Sequence, residues 1–368
     1  MSKASALALA LNGIIGESAQ QQGIAGWLDT GIPELNKILS GTYEHGIPLG
    51  RMIEIFGPSS SGKTFIATMI MKAAQDAGGI AGFSDHERSF EPGLAASLGM
   101  NTDPNMGNWV YKRPQTFEES VGIAVTFCEQ VRKQKLIPAE APLVWVFDSV
   151  ASMIPHEKLY DEKGNRRPVG DYNMRDKLAL AAATSQSYPI LAQFAEDYNM
   201  TVILLNQIRT KPGVMYGDPT TTPGGNAAEF YASIRLSLGR TMITNGEKGD
   251  KKEILGQEIT SYTVKNKVSR PFLKAKHRVM FKPGGGAEVD VIGSTLDFVL
   301  RKGFLAKASG RIEWEGKKVY ESQLAVMLKA DPDAMKKLMA LVPDTGVEVP
   351  DDVAESEIPT EPAGAETA

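Results

Sequence analysis

The sequence predicts an α/β fold: a mostly parallel twisted sheet with helices on both faces, an antiparallel extension, and a small α+β domain at the C-terminal end. Three observations carry this. First, four short apolar runs, MIEIFG (52–57), GIAGFSD (79–85), LVWVFDS (143–149) and TVILLN (201–206), alternate with stretches of helical character: Lys63 to Ala77, Phe117 to Lys135 and an Ala-rich Met174 to Tyr198. Strand and helix in alternation means βαβ units, hence parallel strands buried on both faces. Second, after residue 230 the pattern changes to period-2 alternation in ASIRLSLGR, ITSYTVKNKV and HRVMFKP, which reads as antiparallel strands added to the same sheet. Third, Leu296 to Leu341 is shorter and helical with a hairpin-like RIEWEGKKVY inside it, a small separate lobe.

The 368 residues, 42% hydrophobic and 23% charged, have the composition of a soluble globular chain with a sizeable core. A single cysteine, Cys128, excludes an intrachain disulfide and a Cys-based zinc site and fits a reducing compartment. In VTFCEQV it reads as a packed small hydrophobe. Near the N-terminus, Lys3, a short apolar stretch and the Ser-Ala at 18 and 19 imitate a secretory signal, but Asn12 and Gly13 interrupt the apolar segment. No run approaches the roughly 20 apolar residues of a membrane span, so a cytoplasmic protein without a membrane partner is expected. Net charge is −4, yet eight acidic residues and no Lys or Arg lie between Asp344 and Ala368, leaving 40 basic against 36 acidic residues in the rest. From Ile259 to Ala287 there are seven Lys or Arg and no acid. A basic body with an acidic tail (343–368, expected disordered) suits a nucleic-acid binder whose tail competes for the same surface; a solubilising tail beside a solvated strand pair is the blander reading of the same charges.

The sharpest motif is G-x-x-x-x-G-K-[ST], present as Gly57, Pro58, Ser59, Ser60, Ser61, Gly62, Lys63, Thr64 between an apolar strand and a helix. The glycines let the backbone wrap so that N–H groups face phosphate oxygens, and the helix dipole adds a favourable field. Lys63 can reach the β and γ phosphates and Thr64 can ligate Mg²⁺, so the motif points to a nucleotide polyphosphate with its metal. LVWVFDS places Asp148 at the carboxyl edge of an apolar strand, where it can hold the Mg²⁺ shell through water or simply terminate the strand. GFSDHERSF offers Asp85 and Glu87 beyond another strand, and Glu87 is the choice for orienting or deprotonating an attacking water.

With these residues the sequence resembles the RecA family of ATP-dependent homologous recombinases, from about Leu28 to about Val342. The resemblance rests on GPSSSGKT, FDSVA, NQIRTKPGVMYGDPTTTPGGNAAEFYASIRL and VKNKVSRPF, of which the third is long and far more specific than a phosphate loop. It implies an N-terminal oligomerisation segment (1–27), a RecA-type ATPase core (28–290), a small C-terminal domain (291–342), and helical self-association on single-stranded DNA. Homologous pairing and strand exchange with duplex DNA would be the reaction, serving recombination and repair of damaged DNA, with single-strand binding and mediator proteins as accessory partners. Position by position, it gives Lys63, Thr64 and Asp148 the phosphate and metal duties, Glu87 the catalytic glutamate, and Gln207 the γ-phosphate sensor. Lys265 and Lys267 would reach the neighbouring protomer's ATP site, near an interface that retains Phe230; read alone they are a solvent-facing strand edge.

Two loops would contact DNA. The first, about 157–173, holds Arg166 and Arg167, which charge alone makes either phosphate contacts or an exposed turn, and ends near Met174, matching a base-wedging methionine. The second, about 208–225, holds Arg209, Gly224 and Gly225, with Asn226 following, at positions that contact the DNA backbone; glycine amides can approach phosphates closely. This chain departs from the family pattern at several points. Leu94 stands for the adenine-stacking tyrosine, Glu229 for an interface lysine, Pro212 for the second-loop wedge, and Ala179 and Gln186 for DNA-contacting arginines, with Arg175 and Lys177 placed to compensate. Such divergence suits a phage-encoded or distant bacterial member. Two other classes share parts of this pattern, a hexameric helicase motor and a regulatory paralogue that has lost hydrolysis. The long NQIRTKPGVMYGDPTTTPGGNA stretch argues against the first, and Lys63, Glu87, Asp148 and Gln207 argue against the second.

Overall fold

The computed structural model describes residues 13, 23–168, 178–210, 220–247 and 252–343. Its centre is a nine-stranded sheet of β1 (Met52–Gly57), β2 (Ile80–Asp85), β3 (Trp109–Lys112), β4 (Leu143–Asp148), β5 (Met200–Gln207), β6 (Ile234–Thr244), β7 (Ile254–Asn266), β8 (Lys274–Phe281) and β9 (Ala287–Val289). In space the order is β9-β8-β7-β6-β1-β5-β4-β2-β3. The six strands from β6 to β3 pair in parallel, and β6 to β9 pair antiparallel. The expected α/β architecture is therefore present. Strands β3 and β9 were not expected from the sequence: each is too short to establish a period, and each forms only because a longer neighbour offers an edge.

Alternate residues of one strand enter two different cores, which is why the parallel strands read as unbroken apolar runs. Leu143, Trp145 and Phe147 of β4 pack in one cluster under α3 (Phe117–Lys133) and α4 (Ala179–Asp197). Val144 and Val146 face the opposite cluster, with α1 (Pro33–Ser40) and α2 (Lys63–Asp76). Helix α3 starts where Thr116 Oγ1 accepts the Glu119 N–H at 3.1 Å, carries Glu118 and Glu119 in its first turn, and ends with Arg132 and Lys133 beside its C-terminal carbonyls. It stops two residues before the expected Lys135, which adopts φ 52°. Cys128 is fully buried in this layer, and burial pushes its thiol up to about 11, so it packs as a small hydrophobe.

The uncovered stretch of β8's outer edge is closed by side chains. Glu34 accepts the Lys276 N–H at 3.0 Å, Ser294 Oγ accepts the Arg278 N–H at 2.9 Å, and Arg301 returns to Glu34 at 2.8 Å. Arg301 lies on α5 (Val291–Arg301), which with the hairpin Arg311–Trp314/Lys317–Tyr320 and the helices Glu321–Lys329 and Ala334–Met339 builds a third apolar cluster. The hairpin turns at Glu315 and Gly316, both at positive φ, the conformation a two-residue loop favours. Among the described residues no helix is long and apolar enough to cross a membrane.

Candidate nucleotide site and its link to the second loop

Strand β1 delivers the phosphate loop and α2 receives it. The turn closes at Gly62, φ 92°, where a Cβ would lie 2.4 Å from Ile259 Cδ1 of β7; only glycine fits. Arg240 Nη1 of β6 donates to Ser60 O at 3.2 Å, so the antiparallel extension buttresses the loop from behind. Neither Ile259 nor Arg240 carries a sequence signal for this, because the contact crosses from one half of the sheet to the other. Unlike α3, α2 begins with no side-chain cap and no acidic residue in its first turn, leaving its N-terminal donors for an anion. Ser61 Oγ is buried there without a hydrogen-bond partner among the described residues. Lys63 Nζ folds across the loop, donating to Gly57 O at 3.0 Å and Pro58 O at 2.8 Å, and burial holds its pKa below the usual lysine value. These features fit a polyphosphate.

Opposite the loop, Thr64 Oγ1 donates to Asp148 Oδ2 at 2.9 Å. Burial, reinforced by the nearby Glu87 carboxylate, pushes Asp148 up to about 7; a divalent cation between these hard oxygens and phosphate would favour the ionised form. The donor set fits Mg²⁺ held largely through water. Strand β2 ends in Asp85, which is buried and accepts the Arg88 N–H at 2.7 Å and the Tyr111 hydroxyl at 2.7 Å. Those bonds shape the turn that presents Glu87. Three strand ends then meet: Glu87 Oε1 accepts from Gln207 Nε2 at 3.1 Å and from Ser149 Oγ. Lys63, Thr64, Glu87, Asp148 and Gln207 thus come together at one edge, with Asp85 and Ser149 as supports that the sequence reading did not assign. Leu94 sits on the short helix Pro92–Ser97, 41% exposed.

Lys265 and Lys267 lie elsewhere. Lys267 N–H bonds to Ser233 O, and Ser233 N–H to Met52 O, placing Lys267 level with the first residue of β1 while the phosphate loop leaves its last. Five steps of about 3.3 Å put those ends roughly 17 Å apart. Both ammonium groups instead rest on the C-terminal carbonyls of the helix Ala227–Tyr231: Lys265 Nζ donates to Glu229 O and Phe230 O, and Lys267 Nζ to Phe230 O at 3.2 Å. Burial and the neighbouring Lys267 and Arg235 charges lower Lys265 to about 8. Phe230 beside them is 67% exposed.

Of the first loop, residues 157–168 form a tight reversal: Tyr160 bridges Arg166, Asp161 accepts the Lys163 and Asn165 N–H groups, and Arg167 Nη1 donates to Glu157 O at 2.8 Å. Arg166 is exposed. Met174, Arg175 and Lys177 lie outside the described residues, as does Pro212. Ala179 is buried at the start of α4 and Gln186 is exposed on it. The second loop is less irregular than its composition suggests, because Arg209–Thr210 pairs antiparallel with Thr220–Thr221. Gly224 and Gly225 follow at φ 94° and 68°, pressed against Thr184 and Ala181 of α4, and Thr184 Oγ1 donates to Gly224 O at 2.6 Å. Packing alone therefore explains the two glycines; Arg209 and Asn226 are exposed.

A doubly covered parallel sheet with a phosphate loop, a metal-shell carboxylate and a further carboxylate at its carboxyl edge defines a P-loop nucleotide-binding protein. A family model described as the RecA N-terminal domain matches residues 15–285. The chain is 34% identical over 299 residues to Protein RecA of Caulobacter sp. (strain K31), covering 81% of this chain and 76% of that one. It is 32% identical over 317 residues to Protein RecA of Methylobacterium sp. (strain 4-46), covering 86% and 79%, and 32% identical over 327 residues to Protein RecA of Pseudomonas fluorescens, covering 85% of each. The chain belongs to the RecA family.

Proposed function

We propose that this RecA-family chain assembles in its ATP-bound state as a helical filament on single-stranded DNA, pairs it with homologous duplex DNA and exchanges strands, with DNA-stimulated ATP hydrolysis favouring release. The cytoplasm is the proposed setting. One observation carries most weight: β5 ends in Gln207, bonded to Glu87 beside the phosphate loop, and runs directly into the paired base of the second loop. A change at the γ-phosphate can thus alter the segment proposed to grip DNA.

In this reading Lys63 and the α2 N-terminus bind polyphosphate, and Thr64 with Asp148 hold Mg²⁺, which would supply charge neutralisation for phosphoryl transfer. Glu87, held by Ser149 and Gln207, orients an attacking water and accepts its proton. The separation along β1 supports a trans role for Lys265 and Lys267: they lie at the opposite end of β1 from their own phosphate loop, and a cation supplied by a neighbour makes hydrolysis depend on assembly. The test is ATP turnover with and without single-stranded DNA, followed by D-loop formation. Stimulation and joint-molecule formation are expected; absence of both overturns the recombinase reading.

A further inference from the structure

Between the nucleotide edge and the second loop lies a buried polar cluster that neither strand pairing nor the reaction chemistry requires. Asn206, 1% exposed, uses its whole carboxamide: Oδ1 accepts the Gln207 N–H at 3.0 Å, while Nδ2 donates to Glu54 Oε1 at 3.0 Å and to Pro223 O at 2.9 Å. Glu54, on β1 and fully buried, accepts from Arg235 Nε of β6 at 2.6 Å through its other oxygen. Arg235 lies over the Phe56 ring, 5.0 Å from its centroid, approaches the Glu229 carboxylate at 3.5 Å and reaches towards Thr222 Oγ1 at 3.5 Å. Three segments are thereby tied together: the strand ending in the phosphate loop, the strand ending in Gln207, and the Thr222–Pro223 end of the second loop.

Stability alone is a poor reason for such a cluster. A buried carboxylate–guanidinium pair is often no more stabilising than apolar side chains of the same volume, because both charges lose their hydration. What the cluster supplies instead is direction. Asn is the side chain that offers one acceptor and two donors at this length, and each is committed to a different segment. Its hydrogen bonds tie the Pro223 carbonyl to β1 and β5 through one side chain.

We propose that Asn206, Glu54 and Arg235 are positioning residues that fix the end of the second loop to the two strands carrying the nucleotide site, and that the nucleotide state reaches the DNA-gripping segment through them. This rests on the function proposed above and adds the route. The test uses the full chain, a fluorescein-labelled oligo-dT, a slowly hydrolysed ATP analogue and ADP. Wild-type protein should bind the oligonucleotide more tightly with the analogue than with ADP. In Asn206→Leu that ratio should collapse by about tenfold or more, within the usual range of coupling between sites, while affinity for a fluorescent ATP analogue without DNA changes less than about twofold. Arg235→Lys, which keeps the charge on Glu54 but not the reach to Thr222, should shrink the ratio partially and covers the case in which Asn206→Leu does not fold. A preserved ratio in the folded variants overturns the proposal and leaves the function standing. Loss of nucleotide affinity in parallel with DNA affinity overturns it in favour of a merely structural cluster. No nucleotide dependence in the wild type removes both.

Discussion

The parallel half of the sheet and its antiparallel extension place their chemistry at opposite ends. In the parallel half, β1, β2, β4 and β5 are buried on both faces, and Lys63, Glu87, Asp148 and Gln207 all sit at or just beyond carboxyl ends. That is where open α/β sheets generally bind ligands. In the extension, β7 runs back the other way, so its last residues, including Lys265, lie near the amino end of β1. One half builds a site; the other supports that site with Ile259 and Arg240 while its own Lys265 and Lys267 rest on the helix Ala227–Tyr231, away from that edge. The reversal at β6–β7 therefore converts a self-contained pocket into one whose completion is proposed to need assembly.

The largest expected effect breaks the parallel half. Lys63→Ala removes the ammonium that bridges the phosphate loop and should lower ATP turnover by about 100-fold or more, read as phosphate release; unchanged turnover would remove Lys63 from the site. The next experiment sharpens the division between the halves. Lys267→Ala and Glu87→Gln proteins should each be nearly inactive alone, and mixing them should restore part of the hydrolysis at interfaces that pair an intact Glu87 with an intact Lys267. No recovery over a range of mixing ratios would return both lysines to a structural role.

A smaller effect concerns the core of the extension. His277 on β8 is fully buried, and neither ring nitrogen has a hydrogen-bond partner among the described residues. Burial lowers its pKa to about 4, below the ordinary value of 6.5. The unfolded chain thus takes up the proton first, so the stability is present above pH 6.5 and is lost as pH falls towards 4. His277→Leu should raise stability by about 1–3 kcal/mol at pH 7 and flatten the acid limb of a denaturant-midpoint titration. His86, also lowered to about 4 mainly by burial, keeps part of that limb in the variant. A variant less stable at pH 7 would show that the imidazole makes an unrecognised favourable contact.

The smallest effect concerns the basic strip of the extension. Its seven cations are less bare than their number suggests: Lys276 pairs with Glu258, Arg278 with Asp297 and Lys282 with Glu288. Deleting 344–368 should therefore strengthen duplex DNA binding by only a few-fold at low salt, and less at physiological salt, as the charges of the tail are screened. Salt titrations that superimpose would assign the tail to solubility alone.

Legibility in the sequence followed the range of the interactions. The phosphate loop, β4 with Asp148 and β5 with Gln207 could be read because a contiguous motif or an unbroken apolar run carries each of them. Ser149 and the Asn206–Glu54–Arg235 cluster could not, since each is an isolated polar residue with a partner from a distant part of the chain. Glu54 shows the difficulty well. Within MIEIFG it reads as the polar residue of a strand, and only the approach of β5 and β6 from either side makes it a fully buried acceptor.

Local periodicity and one contiguous motif suffice for the α/β class, the phosphate loop and the strands that end in Asp85, Asp148 and Gln207, because both are short-range information. Only the tertiary structure shows which strand ends meet, that β7 stands behind Gly62, that the second loop is paired at its base, and that Lys265 and Lys267 rest on the helix Ala227–Tyr231 rather than beside the phosphate loop. Those outcomes depend on strand order and direction, which arise from packing all the strands and helices together and leave no mark on any short stretch of residues.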